Sequence, residues 1–585
     1  MTRRELMGAG AALFSAGLEA ARTPPAFERV RSGGAAWPGE DEWSALSGEV
    51  GGRLEPVRMP ALDPAEAAKL LKNPFYLGDH PALTQSSGWI DAWRSEPSAY
   101  VVAVESASDV SAVVRFAAKH KLRLVVKGGG HSYLGASNAP DSLLIWTRRM
   151  NQIRLHDAFV PNGSKTDPVP AVSVGAGCIW LHVYDAVTTK AGRYVQGGGC
   201  TTVGVAGLVQ GGGFGSFSKG FGMAAASLLE AEIVTADGQV RVVNEGRDPD
   251  LFWALKGGGG GTFGVVTRLT LRTHILPETF GVVLWTVKAA SDEGFRRLLD
   301  RFLAHYAKEL FNPHWGEQAR ATLDNRFAVQ MLFQGIDVQQ ARQAWSELEQ
   351  FVSSNTAEYR IVQPLTVLAL PAQRMWDSAF LEQHLPSVIA FDKRPEARAG
   401  DYWWAGNTGE AGTFWHGYSS LWLPQRLLEP AQRGKLTDAW FAASRHWSVT
   451  LHFNKGLAGA SPETIAASRN TAINPQVLDS FALAITADDG ASAFPGLPAP
   501  DLAAARRDAA AISAAAEALR KAAPQTGCYV SESDYFLANW REAYWGDHWP
   551  RLSQIKQRYD PGGLFIVHHG VGSEHWSRDG FKRLA

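Results

Sequence analysis

The stretch KGGGHSY, residues 127–133, decides the fold class of this chain. It follows LRLVV at 122–126, an apolar run that predicts a strand. Upstream, SDVSAVVRFAAKHK at 108–121 places valines at helical spacing behind a Ser108 cap, and YVVAV at 100–104 is rich in strand-forming residues. Strand, helix and strand in this order predict an α/β unit whose glycine loop lies at the carboxyl end of a strand, where ligands of such folds usually bind.

The three glycines of KGGGHSY allow a ligand or another backbone to approach closely. Their spacing matches neither the GxxxxGK[ST] phosphate loop nor a dinucleotide-binding turn, and no helix begins directly after Ser132. Successive backbone N–H groups can still form a nest for an anion, which makes a diphosphate a reasonable ligand. The alternative is a tight turn that carries a solvated histidine.

Two further glycine-rich regions follow, at 197–222 and at 256–266. The segment AEIVTADGQVRVV at 231–243 lies between them and predicts a β-hairpin, because its ADG is a good turn sequence. Three glycine loops so close together suggest one extended ligand that lies along several backbone segments. Such a ligand does not by itself explain why histidine, rather than lysine, follows the first triplet. The histidine must have a role of its own.

The composition is that of a soluble globular protein with more than one domain. The chain has 585 residues, 45% of them hydrophobic and 20% charged, and a net charge of −1, so nothing favours nucleic acid as a partner. Beyond the N-terminus no run reaches the roughly 18 apolar residues that span a bilayer, so no stable membrane association is expected. Three cysteines are too few for a disulfide framework.

The N-terminus predicts export. Arg3 and Arg4 precede a weakly apolar stretch of small residues, and alanines suited to cleavage follow, so residues 1–22 are interpreted as a twin-arginine signal. An ordinary basic N-terminus before an amphipathic helix is the alternative. We therefore expect a periplasmic or secreted protein, with residues 23–60 as a leader or linker outside the core.

Four motifs, in this order, resemble the flavin-binding motifs of the berberine bridge enzyme-like oxidases of the vanillyl-alcohol oxidase superfamily. They are KGGGHSY at 127–133, GCTTVGVAGLVQGGGFG at 199–215, DLFWALKGGGGGTFGVV at 250–266 and YDPGGLFIVHHGVG at 559–572. The resemblance covers roughly residues 85 to 277 and 525 to 575, and the region between them is similar only loosely.

The resemblance implies FAD as the cofactor and an α+β fold with a two-part PCMH-type FAD-binding domain. That domain would span 61–276, with its core at about 95–276. A substrate-binding domain with an antiparallel sheet flanked by helices would span 277–525, and a C-terminal segment at 526–585 would return to the FAD domain.

The resemblance also implies covalent attachment of the flavin. Members with a histidine after the glycine triplet bond it to the flavin 8α-methyl group, which suggests His131, and many bond flavin C6 to a cysteine before a TxVG segment, which suggests Cys200. The alternative for Cys200 is a small residue that fills space. Val203 occupies a position that governs oxygen access in the family, and valine is compatible with oxidase behaviour.

The cofactor-binding positions implied by the motifs lie in the three glycine loops and in the C-terminal segment. They are Lys127, Gly128, Gly129, Gly130, His131, Ser132, Tyr133, Gly135, Gly199, Cys200, Val203, Gly204, Gly207, Gly213, Gly215, Gly264, Val265, Val266, His568 and His569.

The implied activity is oxidation of a hydroxyl group of a sugar or polycyclic metabolite, with hydride transfer to flavin N5 and O2 as the acceptor that yields H2O2. A flavin dehydrogenase that uses another electron carrier is the alternative among enzymes. From a different class, the alternative is an exported glycan-binding protein whose glycine loops are only turns.

Such an oxidation needs a base for the hydroxyl proton. The candidates are Tyr529, in a segment that resembles the family's YxNxxD but has Ser531 in place of asparagine, together with Tyr418, His452 and Asn454. Each has a structural or solvated role as its alternative. The β-type alternation of LHFNKGLAGA places His452 and Asn454 on one face of a strand.

The pair His568 and His569 does not predict a metal site. Neighbouring residues on a strand point in opposite directions, and no further ligand pattern accompanies the pair, so no zinc is expected there.

Overall fold

The computed structural model describes residues 27–584. Its strands, numbered along the chain, are β1 Leu54–Pro56, β2 Ser86–Trp89, β3 Trp93–Arg94, β4 Tyr100–Ala103, β5 Arg123–Lys127, β6 Ser142–Trp146, β7 Ile153–Phe159, β8 Val169–Gly175, β9 Arg193–Tyr194, β10 Leu228–Val234, β11 Val240–Val243, β12 Val265–Arg272, β13 His274–Ile275, β14 Thr279–Ala289, β15 Trp315–Ala321, β16 Arg326–Gln334, β17 Tyr359–Pro371, β18 Ile389–Phe391, β19 Tyr402–Trp404, β20 Thr413–Pro424, β21 Val449–His452 and β22 Ser480–Gly490.

The α-helices are α1 Glu40–Glu49, α2 Pro64–Leu70, α3 Pro74–Gly78, α4 Ala107–Lys119, α5 Trp180–Tyr184, α6 Val205–Gln210, α7 Ser218–Phe221, α8 Pro249–Ala254, α9 Asp292–His305, α10 Val338–Ser353, α11 Ser378–His384, α12 Pro430–Ser444, α13 Pro462–Arg469, α14 Leu502–Arg520, α15 Trp540–Trp545 and α16 Trp549–Tyr559.

The predicted strand, helix and strand are β4, α4 and β5. They belong to a four-stranded sheet of order β1-β4-β6-β5, in which β4, β5 and β6 are parallel. The predicted cap of α4, Ser108, lies two residues too late. Ser106 accepts the hydrogen bond from the Asp109 N–H, and the Asp109 carboxylate accepts from the Ser106 N–H. The first glycine loop leaves β5 at its carboxyl end, as predicted.

A five-stranded antiparallel sheet of order β11-β10-β12-β8-β7 lies beside the four-stranded sheet, and the two sheets together form one half of the molecule. Its strands β10 and β11 are the predicted hairpin, with Val234 opposite Val240. The third glycine loop ends where β12 begins, at Val265. The two sheets thus hold two of the glycine loops on neighbouring strand ends.

A nine-stranded sheet of order β17-β14-β16-β15-β21-β22-β20-β2-β3 forms the other half. All its pairings are antiparallel except that of β2 with β20. Helices α9, α10, α12 and α14 cover it, and the core between sheet and helices holds large side chains such as Trp285, Phe302, Trp345 and Trp440. The predicted α+β class is confirmed. The nine-stranded sheet is the predicted, mainly antiparallel sheet flanked by helices.

Residues 23–60 were expected to lie outside the core, and the structure differs for the part that it describes. Trp43 and Leu46 of α1, and Val50 directly after it, are buried against α4, and β1 extends the parallel sheet by pairing with β4. The apolar residues of α1 lie among many polar ones, so the sequence pattern was weak. The twin-arginine signal at 1–22 lies outside the described residues.

The C-terminal segment returns to the first half of the chain. Lys582 forms a β-bridge with Glu28, and the Arg29 guanidinium donates to the carbonyl oxygens of Leu122 and Leu564. Among residues 27–584, no helix combines the length and the apolar character needed to cross a bilayer.

Candidate active site

A cleft of about 1150 Å³ lies where the two halves and the C-terminal segment meet. The three glycine loops form one side of it, at 128–138, 200–211 and 259–266, and the C-terminal segment lines it at 565–580. Residues 529–545 complete the wall on the side of the nine-stranded sheet. The predicted single extended ligand therefore has a single extended cavity to occupy.

The first two glycine loops touch back to back, which only glycine permits. A Cβ on Gly129 would lie 2.6 Å from the Gly204 nitrogen, and a Cβ on Gly204 would lie 2.8 Å from the Gly129 nitrogen. Gly130 adopts a φ of +77°, in the left-handed region that favours glycine. The triplet thus brings two backbone segments together and turns the chain toward His131.

The N–H groups of Gly129, Gly130 and His131 have no hydrogen-bond acceptor among residues 27–584. Gly129 and Gly130 are buried, and buried N–H groups are almost always paired in proteins. Consecutive free donors that line a cleft form a nest for an anion. This is the arrangement that a diphosphate would satisfy.

Lys127 is not part of the cleft wall. Its ammonium is buried and donates to the carbonyl oxygens of His80, Pro81 and Leu83 at 3.2, 2.6 and 2.9 Å. Burial lowers its pKa to about 7. Lys127 therefore anchors the start of the glycine loop on residues 80–83 and does not face the ligand.

His131 is half-buried in the cleft wall, with its Nε2 3.1 Å from the Thr202 hydroxyl oxygen. Burial is the main cause that lowers its pKa to about 4, so the imidazole is neutral at physiological pH. Thr202 occupies one ring nitrogen, and no residue of the described chain contacts Nδ1 by a hydrogen bond. When Nε2–H donates to Thr202, Nδ1 carries the lone pair of the neutral imidazole and is its nucleophilic nitrogen.

Cys200 lines the same cleft and is half-buried. Its Sγ lies 3.8 Å from Glu410 Oε2, to which the thiol donates. Burial, and next the charge of Glu410, raise the pKa of this thiol well above its usual range. The adjacent carbonyl of Gly199 accepts a hydrogen bond of 2.9 Å from Trp404 Nε1, which ties the cysteine loop to the segment that carries Glu410.

Two carboxylates line the cleft near Cys200, and sequence reasoning missed both. Glu410 is exposed to the cleft, and its other oxygen accepts from Asn407 Nδ2 at 2.7 Å. The surrounding walls raise its pKa by desolvation. Glu532 is half-buried and accepts from Lys455 Nζ through both oxygens, at 2.6 and 2.5 Å. One carboxylate is paired with a cation and the other is not.

Tyr529 and Tyr418 were candidate bases. Tyr529 lines the cleft and is buried, and its hydroxyl oxygen accepts a hydrogen bond from the Gly213 N–H at 3.3 Å. Tyr418 lies one layer behind the cleft wall, with its ring 5.4 Å from that of Tyr133 and 5.3 Å from that of Trp415. Burial raises the pKa of both phenols, which weakens the case for either as a proton acceptor at neutral pH.

His452 and Asn454 do not line the cleft. The prediction that both lie on one face of a strand is wrong. Strand β21 ends at His452, and the chain turns so that the Lys455 N–H donates to the His452 carbonyl at 3.2 Å. Asn454 is buried and donates to the Gly215 carbonyl at 3.3 Å. The turn instead delivers Lys455 to Glu532.

His568 and His569 both line the cleft, and they stack on each other with ring centroids 3.8 Å apart. The expectation that they point in opposite directions is wrong, because they lie in a turn in which His569 has a φ of +55°. His568 also stacks on Tyr535 at 3.8 Å, and His569 on Trp540 at 5.2 Å. The four rings form one column in the cleft wall.

The other predicted cofactor positions divide between the cleft wall and the layer behind it. Those in the wall are Gly128, Ser132, Tyr133, Gly135, Val203, Gly207, Gly264 and Val266. Those outside it are Gly199, Gly213, Gly215 and Val265. A Cβ on Gly215 would lie 2.0 Å from the Gly197 carbonyl oxygen, so this glycine is required by packing.

Family models match two parts of the chain that meet at this cleft. The model described as FAD binding domain matches residues 97–244, and the model described as berberine and berberine like matches residues 528–572. The two matches support a berberine bridge enzyme-like, FAD-linked oxidoreductase.

Curated and solved relatives are similar to this chain over nearly its whole length. The FAD-linked oxidoreductase notD' of Aspergillus versicolor is 27% identical over 649 residues, which cover 98% of this chain and 93% of that protein. The VAO-type flavoprotein MtVAO615 of Myceliophthora thermophila C1 has a TM-score of 0.78 and 25% identity, and the match covers 95% of this chain and 100% of that one.

A glucooligosaccharide oxidase from Acremonium strictum shares the fold, with a TM-score of 0.62, 18% identity and coverage of 82% of this chain and 92% of that one. That enzyme is described as carrying a 6-S-cysteinyl, 8α-N1-histidyl FAD. At this identity the likeness concerns the fold alone.

The cleft of this FAD-linked oxidoreductase fits FAD. The free N–H groups of the first glycine loop suit the diphosphate, and the close contact of Gly129 with Gly204 leaves the cleft open for it. His131 and Cys200 then lie on the wall of the same cavity as the carboxylates Glu410 and Glu532. The match to an FAD-binding domain supports FAD as the cofactor.

Proposed function

We propose that this FAD-linked oxidoreductase oxidises a hydroxyl group of a sugar or polycyclic metabolite and passes the electrons to O2, which yields H2O2. The observation that carries the proposal is that one cleft contains both the glycine-loop cradle and a carboxylate, Glu410, that pairs with no cation among residues 27–584. A cofactor site joined to a proton acceptor is what alcohol oxidation requires.

Bound FAD supplies a hydride acceptor at N5. The chain supplies the proton acceptor, and Glu410 suits this role better than the tyrosines. Its carboxylate faces the cleft. Asn407 donates to one oxygen at 2.7 Å, and in the described part of the chain the other oxygen accepts a hydrogen bond from Cys200 alone. A pKa raised by the cleft walls makes Glu410 a stronger base than an exposed glutamate.

Glu532 suits substrate positioning. Lys455 compensates its charge from 2.5 Å, and the pair is largely shielded from solvent. A carboxylate held in this way can accept a hydrogen bond from a second hydroxyl group of a sugar or polyol without taking up a proton. The pair therefore favours a substrate with more than one polar group.

We further propose that His131 and Cys200 hold the flavin covalently. Both side chains line the cleft, the His131 imidazole is neutral with a free Nδ1, and the Acremonium strictum enzyme carries FAD through a histidine and a cysteine. Two such links would orient the ring and would be expected to raise its oxidising power. Val203, which also lines the cleft, is compatible with access of O2.

The sequence, rather than the fold, supports export. The N-terminal MTRRELMGAGAALFSAGLEAA has the character of a twin-arginine signal, and that route carries folded proteins with their cofactors. We propose a periplasmic or secreted enzyme. Replacement of Arg3 and Arg4 by lysine should retain the protein in the cytoplasm, as measured by cell fractionation.

The function is tested in two steps with the purified full chain. The protein should absorb near 450 nm, and a panel of sugars and polycyclic alcohols should bleach this band anaerobically. Protein without the band would leave the glycan-binding alternative. Substrate oxidation under air should release one H2O2 per substrate, and bleaching without peroxide would instead favour a dehydrogenase.

A further inference from the structure

We infer that Glu410 is the base that takes the proton of the Cys200 thiol when the sulfur becomes bonded to the flavin. The inference rests on the proposed attachment through Cys200. It gives this carboxylate a task in the maturation of the enzyme, before any substrate is bound.

The first support is direct contact. Glu410 Oε2 lies 3.8 Å from Cys200 Sγ, within hydrogen-bond range for sulfur, and the thiol is the donor. Among residues 27–584 the thiol has no other hydrogen-bond partner. The proton that must leave therefore already points at a carboxylate.

The second support is that the contact is held from both sides. Trp404 Nε1 donates to the Gly199 carbonyl at 2.9 Å, which joins the cysteine loop to the end of β19. On the carboxylate side, Asn407 Nδ2 donates to Oε1 at 2.7 Å, and the Thr413 hydroxyl donates to the Glu410 carbonyl at 2.7 Å. Oε1 is occupied, so Oε2 is the oxygen that remains for the thiol.

The third support is that this thiol needs a base. The thiolate is the nucleophilic form, and burial together with Glu410 raises the pKa of Cys200, so the free thiolate is scarce at neutral pH. The charged or titratable groups around the pair are Glu532, Lys455, Tyr133, Tyr184, Tyr418 and Asp489. Lys455, which pairs with Glu532, favours the thiolate by its charge, but burial and Glu410 outweigh it and the pKa of Cys200 stays raised.

The reaction balances with O2 as the oxidant. The S–H bond of Cys200 and the C6–H bond of the flavin break, and one S–C6 bond forms. The two protons and two electrons that are lost pass to O2 and give H2O2. Glu410 takes the thiol proton and returns it to solvent, so it is unchanged at the end.

The test compares peptides from purified, flavin-containing proteins. In the wild type, digestion should yield one cross-linked product in which FAD joins the His131 and Cys200 peptides. In Glu410→Gln, FAD should remain on the His131 peptide, while Cys200 should be free and alkylated by iodoacetamide after denaturation. The matched control is Glu532→Gln, which removes the other cleft carboxylate and should keep the cross-link, and Cys200→Ser gives the reference for its absence.

A second measurement separates a base from a residue that only holds the loop in place. Purified Glu410→Gln, with FAD on His131, is incubated under air at pH 7, 8 and 9. Formation of the link should be about a hundredfold slower than in the wild type at pH 7, and its rate should rise about tenfold per pH unit as hydroxide replaces the lost base. A Glu410→Gln protein that is fully cross-linked on isolation, or whose slow attachment does not respond to pH, overturns the inference.

If the proposed attachment through Cys200 is wrong, the peptide experiment gives a different result. If wild-type Cys200 is alkylated and free while FAD is bound, the attachment itself is wrong. If wild type and Glu410→Gln are equally cross-linked, the attachment stands and only the role of Glu410 fails.

Discussion

Lys455 Nζ lies 2.6 and 2.5 Å from the two oxygens of Glu532, so one of the two cleft carboxylates carries its own counter-ion and the other does not. Glu410 is left as the acceptor for a substrate proton. Glu410→Gln should therefore lower kcat by about 10² to 10⁴, whereas Glu532→Gln should act mainly on KM. Steady-state kinetics on the substrate found by the panel measures both.

Cys200→Ser is the control for this prediction, since it removes the sulfur link but keeps Glu410. Its kcat should lie well above that of Glu410→Gln, and equal values would show that the glutamate acts only through attachment.

The raised pKa of Glu410 also predicts the pH profile. Because the base must be ionised, kcat/KM should rise with pH, with a midpoint above the 4.5 of an ordinary glutamate.

A buried lysine joins the second glycine loop to the substrate half. Lys219 Nζ donates to the carbonyls of Gly456, Ala458 and Phe481 at 2.6, 2.8 and 3.0 Å. Lys219→Met should leave three buried acceptors without a donor and lower the free energy of unfolding by about 2 to 4 kcal/mol. Thermal unfolding measures the change.

The exposed Lys190, which pairs with Asp185 at the surface, is the matched control for Lys219. Lys190→Met should change stability by no more than about 0.5 kcal/mol. A Lys219→Met protein as stable as Lys190→Met would contradict the stabilising role of the buried Lys219.

Gly129→Ala should damage both fold and cofactor site, because its Cβ would lie 2.6 Å from the Gly204 nitrogen and 3.0 Å from the Thr202 carbonyl oxygen. We expect a loss of about 1 to 3 kcal/mol in stability and less flavin per protein, measured by the ratio of absorbance at 450 and 280 nm. Gly199→Ala, where no atom lies within 4 Å of the added Cβ, should retain both. Normal flavin content in Gly129→Ala would argue against the back-to-back packing.

His416 predicts a pH dependence of stability. Asp488 and Asp508 face its Nδ1 at 3.6 and 2.9 Å and raise its pKa. A raised pKa in the folded state contributes stability that is fully present below the unfolded value of about 6.5 and is lost as pH rises through the folded value. The Tm advantage of the wild type over His416→Gln should therefore shrink as pH rises from about 6 to 8. An advantage that grows over this range would refute the ion-pair account.

Local patterns predicted the elements that bear on the cofactor. The α4 periodicity, the ADG hairpin and the glycine triplet after β5 depend on nearest neighbours in the chain, and the structure has all three. The positions His131 and Cys200 followed from their motifs, and both line the cleft.

The proton acceptor could not be predicted in this way. Glu410 is the last residue of a 3-10 helix, Ala405–Glu410, that precedes β20. It lies 210 residues after Cys200, and no periodicity or motif marks it. Its role depends on a contact that exists only after β19 docks on the cysteine loop. The same holds for Lys455, which a turn at the end of β21 delivers to Glu532, where the sequence suggested a continuing strand.

The parallel pairing of β2 with β20 has a mechanical consequence. Residues 86–94 belong by sequence to the cofactor half, yet they form the edge of the substrate sheet, so a hinge between the halves would have to break strand hydrogen bonds. Opening by rigid rotation is therefore disfavoured, and a substrate must enter through the mouth of a standing cavity. The width of that mouth, rather than a closing motion, would then set the largest molecule that the enzyme admits.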